Sequence, residues 1–238
     1  MREWPFWSEA GQIWRRIGVV DELPEGVPSQ ISSDPRVRII LLTGPSGSGK
    51  THLTRRLGLP VVTLDDFYFN DTHPDLPRRF GIIDWDDVSS WDADGATAAL
   101  CELAATGRAE IPIYHIPTNT RTGQMVVDAG SSPVVIAEGI FAAYLVEPLR
   151  QAGVLADAIC VARPALVTFW FRLLRDLAES RKPPLTLIRR GFALMRGEPE
   201  LRRKWEKLGC RPLPISDADT AISTLAHSYG ICSNQTAP

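Results

Sequence analysis

The eight residues Gly44-Pro45-Ser46-Gly47-Ser48-Gly49-Lys50-Thr51 restrict the fold of this chain more than any other stretch. They satisfy G-x-x-x-x-G-K-[ST] in full, and both flanks agree with it. Val37 to Thr43 is apolar and β-branched, the pattern of a buried strand, and Thr51 to Leu57 can begin a helix. A strand running into a glycine-rich turn and then a helix leaves backbone amides pointing inward. The unpaired N–H groups and positive end of the helix stand behind them. This arrangement cradles phosphate. Lys50 would reach the terminal phosphates of a nucleotide and the Thr51 hydroxyl would ligate Mg²⁺, with His52 on the following turn completing the nucleotide-binding set.

The rest of the chain supplies a setting for such a cradle. Its 238 residues suit one sizeable α/β unit with elaborations, and an apolar fraction of 44% supports an ordinary core. A formal net charge of −2 argues against bulk nucleic-acid binding. No apolar run reaches the length of a membrane span, and no secretory signal is recognisable. Cys101, Cys160, Cys210 and Cys232 lack metal-ligand spacing, so free thiols in a reducing cytoplasm are expected. The charge is unevenly spread. Asp65 to Asp94 holds nine aspartates and two arginines, whereas Arg163 to Lys207 holds twelve basic and five acidic residues. Most of these charges serve a solvated surface, but the two stretches together suggest a metal and hydroxyl site facing a phosphate clamp.

Taken in order, residues 1–36 form a Trp- and Pro-rich leader with a short helix expected over Ser8 to Ile17. The core is expected over 37–225. Pro60 to Leu64 reads as a strand ending in Asp65-Asp66-Phe67-Tyr68. Carboxylates at the carboxyl ends of parallel strands stand where chemistry gathers, and Asp65 lies closer to the strand end than Asp66. A turn cap is the other reading of such an aspartate. Residues 69–92 look like a loop-rich insertion on the acceptor side. Asp92 is an N-cap for a helix over Ala93 to Thr106, with Gly107 as its stop. Ile111 to His115 is extended, and Thr118 to Gly123 is a polar turn carrying Arg121. Pro133 to Ala137 is a buried strand ending at Glu138, an acid suited to Mg²⁺. Phe141 to Gln151 is helical, Ala158 to Ala162 is a strand, and Ala165 to Ser180 is a helix carrying Arg172 and Arg175. A basic lid is expected over 181–209, a last short strand over Thr220 to Ser223, and a loose tail over 226–238.

The ordered set GPSGSGKT, LDDFY, DWDDVSSWD, IPIYHIPTNTR, VIAEGIF and LLRD resembles the uridine kinase and phosphoribulokinase group of P-loop kinases, over about Val37 to Ser223. The resemblance implies the α/β three-layer sandwich of P-loop NTPases, with a mainly parallel central sheet and a helical lid. It implies ATP and Mg²⁺, and transfer of the γ-phosphoryl group to a hydroxyl of a small metabolite. It makes Asp65 the general base and Tyr68 a substrate-binding residue. It sets Asp86 against sugar hydroxyls, puts Tyr114, Asn119 and Arg121 along the substrate, and assigns Glu138 to the metal with Thr51 and Asp65. Arg172 and Arg175 lie near the family's lid arginines, with Arg181 and Lys182 just beyond.

This chain also departs from the pattern. His115 stands where the family has Asp, Asn119 where it has its base-contacting His, and Thr168 and Phe171 where it has arginines. The nucleotide half therefore matches and the acceptor half diverges. A site discriminates through polar contacts, so the divergence concerns the acceptor's identity. The alternative reading is a nucleotide-dependent switch or accessory ATPase with no small-molecule acceptor. The partner expected is a hydroxyl-bearing small molecule, with neither nucleic acid nor membrane, in a chain compatible with homo-oligomers.

Overall fold

A computed structural model describes residues 34–79, 81–163 and 197–235, with side chains as far as 230. The expected leader helix, the expected helix with Arg172 and Arg175, and Arg181 and Lys182 beyond it lie outside the described residues.

The strand before the cradle, β1 (Arg38–Thr43), alternates two buried sets. Ile39 and Leu41 point to one face of the sheet, Ile40 and Leu42 to the other, and all four are fully buried. A strand apolar on both faces belongs in the middle of a parallel sheet with helices on either side. The sheet is arranged so. Its order is β2 (Val61–Thr63), β7 (Val134–Glu138), β1, β8 (Leu155–Val161), β9 (Arg211–Leu213), and every pairing is parallel. The helices Lys50–Leu57 and Ile215–Gln235 cover one face, placing Leu53, Ala218 and Ile222 against Ile40, Leu42, Ile136 and Val161. The helices Ala93–Thr106 and Val146–Gln151 cover the other, placing Leu100, Leu103 and Leu149 against Ile39, Leu41, Val135 and Ala137. This is the three-layer α/β sandwich. Because β1 lies between β7 and β8, the chain leaves it on one side for β2 and passes over it later. The cradle thus sits at the switch point of the sheet, where such folds bind ligands.

Local chemistry explains where these elements stop. The helix Ala93–Thr106 begins where Asp92 Oδ1 accepts from Gly95 N at 2.8 Å, and ends where Gly107, at φ 82°, donates to Leu103 O at 2.8 Å. Two antiparallel hairpins accompany the parallel sheet. One pairs β3 (Arg78–Arg79) with β4 (Ile82–Ile83). The other is an arm pairing β5 (Arg108–His115) with β6 (Thr120–Asp128).

Three expectations need correction. Residues 118–123 are not all turn, since reversal occupies residues 116–119 and Arg121 lies on β6. Residues 220–223 are not a strand. Ala218 and Ile222 follow one another at helical spacing along the helix Ile215–Gln235, and both pack on the sheet. The last strand is instead β9, at the sheet edge, where Pro212 is tolerated. The same helix carries the chain to Gln235, so the stretch from 226 to that point is helical rather than loose. Residues 197–207 of the expected basic lid are helical. Among the described residues no helix is long and apolar enough to cross a membrane.

Candidate active site

The cradle closes at Gly49, the N-cap of the helix Lys50–Leu57, with φ 94°. A Cβ there would meet Ile215 Cδ1 at 2.9 Å and the Arg163 guanidinium at 3.3 Å, so glycine is required for both conformation and space. Lys50 Nζ donates to Gly44 O at 2.7 Å and to Pro45 O at 3.4 Å, which curls the ammonium over the loop that carries it. Thr51 begins the helix, and its hydroxyl donates to Glu138 Oε1 at 3.5 Å. Glu138 is the last residue of β7, the strand beside β1, so the sheet register alone brings acid and hydroxyl together. Among the described residues Glu138 Oε2 and Ser48 Oγ are buried without a hydrogen-bond partner. Leaving such groups unpaired costs free energy, so their presence marks a place prepared for a ligand.

Asp65 approaches from the other side. It sits on the 3₁₀ turn Leu64–Phe67 that follows β2, and the Ile140 N–H donates to it. Gly139 makes this approach possible: a Cβ there would lie 2.7 Å from Leu64 Cβ and 3.3 Å from Asp65 Oδ1. Asp65 keeps exposed surface toward the cleft, yet protein surrounds it closely enough that desolvation raises its carboxyl above the usual range. Lys50 opposes that rise, and Asp66 adds to it. Burial likewise raises Glu138, Lys50 opposes it, and Asp65 adds to it. Two carboxylates therefore share the field of one ammonium across a cleft of about 680 Å³. Asp66 instead accepts from Tyr114 N at 3.0 Å and ties the turn to β5.

The cleft gathers the cradle, Lys50, Thr51, His52, Asp65 and Glu138. Arg163 also lines it, just past β8. Arg163 was not among the site residues expected from the sequence. Its one signal was a cation following a strand that ends beside the cradle. Of the other predicted residues, Tyr68 and Tyr114 pack into an aromatic wall next to the Asp65 turn. Tyr68 lies between Tyr114, with ring centroids 5.7 Å apart, and Phe141, at 5.9 Å. Trp85 meets Tyr68 edge-on at 5.8 Å, and the Tyr68 hydroxyl donates to Trp85 O at 3.3 Å. Burial raises the Tyr68 phenol. It also pushes Tyr114 up to about 12, where Asp71 adds and Arg121 opposes. The Tyr114 hydroxyl is buried without a partner among the described residues. Asp86 is exposed beside this wall, its backbone turned by a bond from Asp86 N to Asp84 Oδ1 at 3.2 Å.

Asn119 and Arg121 have other employment. Asn119 adopts φ 50°, the left-handed conformation that the turn between β5 and β6 demands and that asparagine tolerates. The Arg121 side chain is directed into the protein, at Phe67 O, Tyr68 O and Asp92. Cys101, Cys160 and Cys210 are buried free thiols, pushed up to about 11, 11 and 12 by desolvation, which suits packing rather than nucleophilic work.

The residues present fit Mg²⁺. Such ions take one or two protein oxygens and complete their shell with water and substrate phosphate. Thr51 and Glu138 offer that set, with Asp65 close by. Among the described residues no three His, Cys, Asp or Glu side chains gather into an all-protein cage.

A parallel sheet of this order, with a phosphate cradle at the carboxyl end of its central strand, defines a P-loop α/β protein. The likeness to a crystal structure of a candidate fructose transport system kinase from Silicibacter sp. TM1040 agrees with that fold. Its TM-score is 0.52 at 17% identity, over 78% of this chain and 94% of the other. The description of the phosphoribulokinase / uridine kinase family matches residues 39–181. A uridine kinase of Histophilus somni (strain 2336) is 32% identical over 158 residues, covering 62% of this chain and 72% of its own. The chain belongs to the phosphoribulokinase / uridine kinase family. A uridine kinase of Schizosaccharomyces pombe is 33% identical over 54% of this chain and 31% of its own. A protein of Arabidopsis thaliana named inorganic pyrophosphatase TTM2 is 30% identical over 67% of this chain and 23% of its own. This chain thus spans less than a third of those two longer relatives.

Proposed function

We propose that this protein transfers the γ-phosphoryl group of ATP to a hydroxyl of a small metabolite. The observation that carries the reading is the convergence of Lys50, Thr51, Asp65 and Glu138 on one cleft at the switch point of the sheet, with an aromatic wall beside it. Lys50 and the loop amides hold the β- and γ-phosphates in line with the acceptor. Thr51 and Glu138 would hold Mg²⁺, which when bound offsets charge on the phosphate oxygens. Asp65 orients the acceptor hydroxyl and takes its proton. Its raised carboxyl is the better base for that, because a proton acceptor works best when its pKa lies nearer the operating pH. The aromatic wall and Asp86 bind the body of the acceptor.

An acceptor-independent nucleotide hydrolase or switch is the second reading. One observation favours it: Asn119 and Arg121, which the resemblance sets along the substrate, are engaged in a turn and in internal hydrogen bonds. The test is ADP release from Mg-ATP across uridine, cytidine, nicotinamide riboside, pantothenate, glycerate and pentose phosphates, with Lys50→Ala as blank. Strong stimulation by one acceptor is the expected result. A slow release that no acceptor changes would overturn the kinase reading for these classes and favour the second.

A further inference from the structure

The β5–β6 arm and the turn that carries Asp65 come from distant parts of the chain, yet they are joined by a compact set of hydrogen bonds. Tyr114 N donates to Asp66 Oδ1 at 3.0 Å, Arg121 N to Asn70 Oδ1 at 2.6 Å, and Asp71 N to Asn119 O at 3.0 Å. At their centre is the Arg121 side chain. Its Nε donates to Tyr68 O at 3.0 Å, and one Nη donates both to Phe67 O at 2.9 Å and to Asp92 Oδ2 at 3.1 Å. Its Cζ lies 5.7 Å from the centre of the Phe69 ring. Tyr68 O and Phe67 O, which also accepts from Asp92 N at 3.0 Å, are the last carbonyls of the short turn Leu64–Phe67 and its cap, so Arg121 reinforces a junction that one backbone bond already begins. Asp92 uses its other oxygen to cap the helix Ala93–Thr106. One planar fork therefore joins three elements: the turn with Asp65, the start of a core helix, and the arm with Tyr114. A lysine could make one of these contacts but not the set.

We propose that Arg121 is a positioning residue, a latch that fixes the Asp65 turn against the β5–β6 arm and acts on phosphoryl transfer through that turn rather than by touching the acceptor. The kinetic half of this proposal rests on the kinase reading above, and the structural half does not. The latch explains why an arginine is needed on a strand that is otherwise largely exposed. It also makes the spacing between the hydroxyl-activating carboxylate and the acceptor wall a property of one side chain.

The test uses the full chain with Arg121→Gln, Asp92→Asn and the double variant. Asp92→Asn keeps a side chain able to cap the helix while removing the charge that Arg121 faces, so it serves if Arg121→Gln folds poorly. Amide hydrogen exchange is followed in residues 64–71, with β1 and β7 as internal references. Transfer kinetics are measured with the acceptor found in the panel. Loss of a charge-assisted pair of hydrogen bonds should speed exchange in 64–71 by about tenfold or more and leave β1 and β7 unchanged. The kcat should fall by about 10- to 100-fold with the acceptor KM within about twofold. The double variant should be no slower than Arg121→Gln, because both changes open the same latch. Unchanged exchange in 64–71 would overturn the proposal. So would a raised acceptor KM at unchanged kcat, which is the signature of direct contact. If the wild type transfers phosphate to no acceptor, the kinase reading falls by itself. Exchange in 64–71 then decides the latch alone: faster supports it and unchanged refutes it.

Discussion

Gly139→Ala isolates the contact that sets Asp65 against the end of β7. The new Cβ would stand 2.7 Å from Leu64 Cβ, whereas ordinary contact begins near 3.4 Å, so about 0.7 Å of separation has to be found between the two backbones. Leu64 is buried and cannot swing aside, and its neighbour Asp65 is the residue displaced. Overpacking of this kind costs about 1–3 kcal/mol. Near the melting temperature that is roughly 2–4 °C per kcal/mol for a chain of this size. The kinetic penalty should be larger in proportion, since a shift approaching 1 Å at a reacting group can cost about 100-fold in rate. Binding of Mg-nucleotide should persist, because the clash falls on Leu64 and Asp65 and not on Lys50 or Thr51. The assay pairs kcat with nucleotide affinity and a melting curve. Gly123→Ala is the control: nothing lies within 4 Å of a Cβ there, and the gain from a less flexible unfolded chain is the same. A Gly139→Ala enzyme with wild-type kcat and normal nucleotide affinity would refute the placement of Asp65 by this contact.

Lys50→Ala should abolish turnover while leaving the melting temperature within a few degrees, and retained activity in the same release assay would remove the cradle from the mechanism. Asp65→Asn should lose rate and still bind ATP, with the acid limb of the wild-type pH–rate profile lying above the ordinary carboxylate range because desolvation raises this group. The sign for stability follows from the same shift. A carboxyl whose folded pKa is raised binds its proton more tightly in the native state, so its stabilising contribution is full below the unfolded pKa and is lost as pH rises through the folded one. Asp65→Asn should therefore melt higher than wild type at neutral pH and gain little under acid conditions, as scanning calorimetry at pH 3 and 7 would reveal. Asp86→Ala should raise acceptor KM while basal hydrolysis persists, and a parallel loss of hydrolysis would contradict its place on the acceptor wall.

Much of the core was legible because its local signals agree with one another. Val37 to Thr43 is apolar on both faces, and only a central strand uses such a run. The helix after Asp92 carries its start and stop in the sequence as Asp92 and Gly107, and both serve as caps. The misreadings came where local preference and tertiary placement diverge. Strand β6 shows no alternation, because its arm projects from the body and leaves Met125 and Val126 47% and 58% exposed. The β-branched Thr220 and Ile222 resemble a strand in isolation. Their true period appears only when Ala218, Ile222 and Leu225 are set against the sheet face they cover.

The site divides along the same line. Lys50, Thr51, Asp65 and Glu138 were legible because their positions follow from strand ends, and parallel pairing of β1 with β7 and of β7 with β2 brings strand ends together without help from side chains. Asn119 and Arg121 were not, because their roles depend on a backbone dihedral and on carbonyls more than fifty positions away. A polar residue in a segment that resembles a substrate-contact region has two uses, contact with the acceptor and tethering of the segment itself, and composition does not separate them. The structure separates them by direction. The Arg121 Nε and one Nη point to the Asp65 turn and the Asp92 cap. The Tyr114 hydroxyl and Glu138 Oε2 are buried with no hydrogen-bond partner among the described residues. On the proposed kinase reading, Arg121 holds the site in shape, and the Tyr114 hydroxyl and Glu138 Oε2 are free to meet a ligand. The acceptor should therefore be sought by what completes Tyr114, Asp65 and Asp86, not by what the arm's arginine would bind.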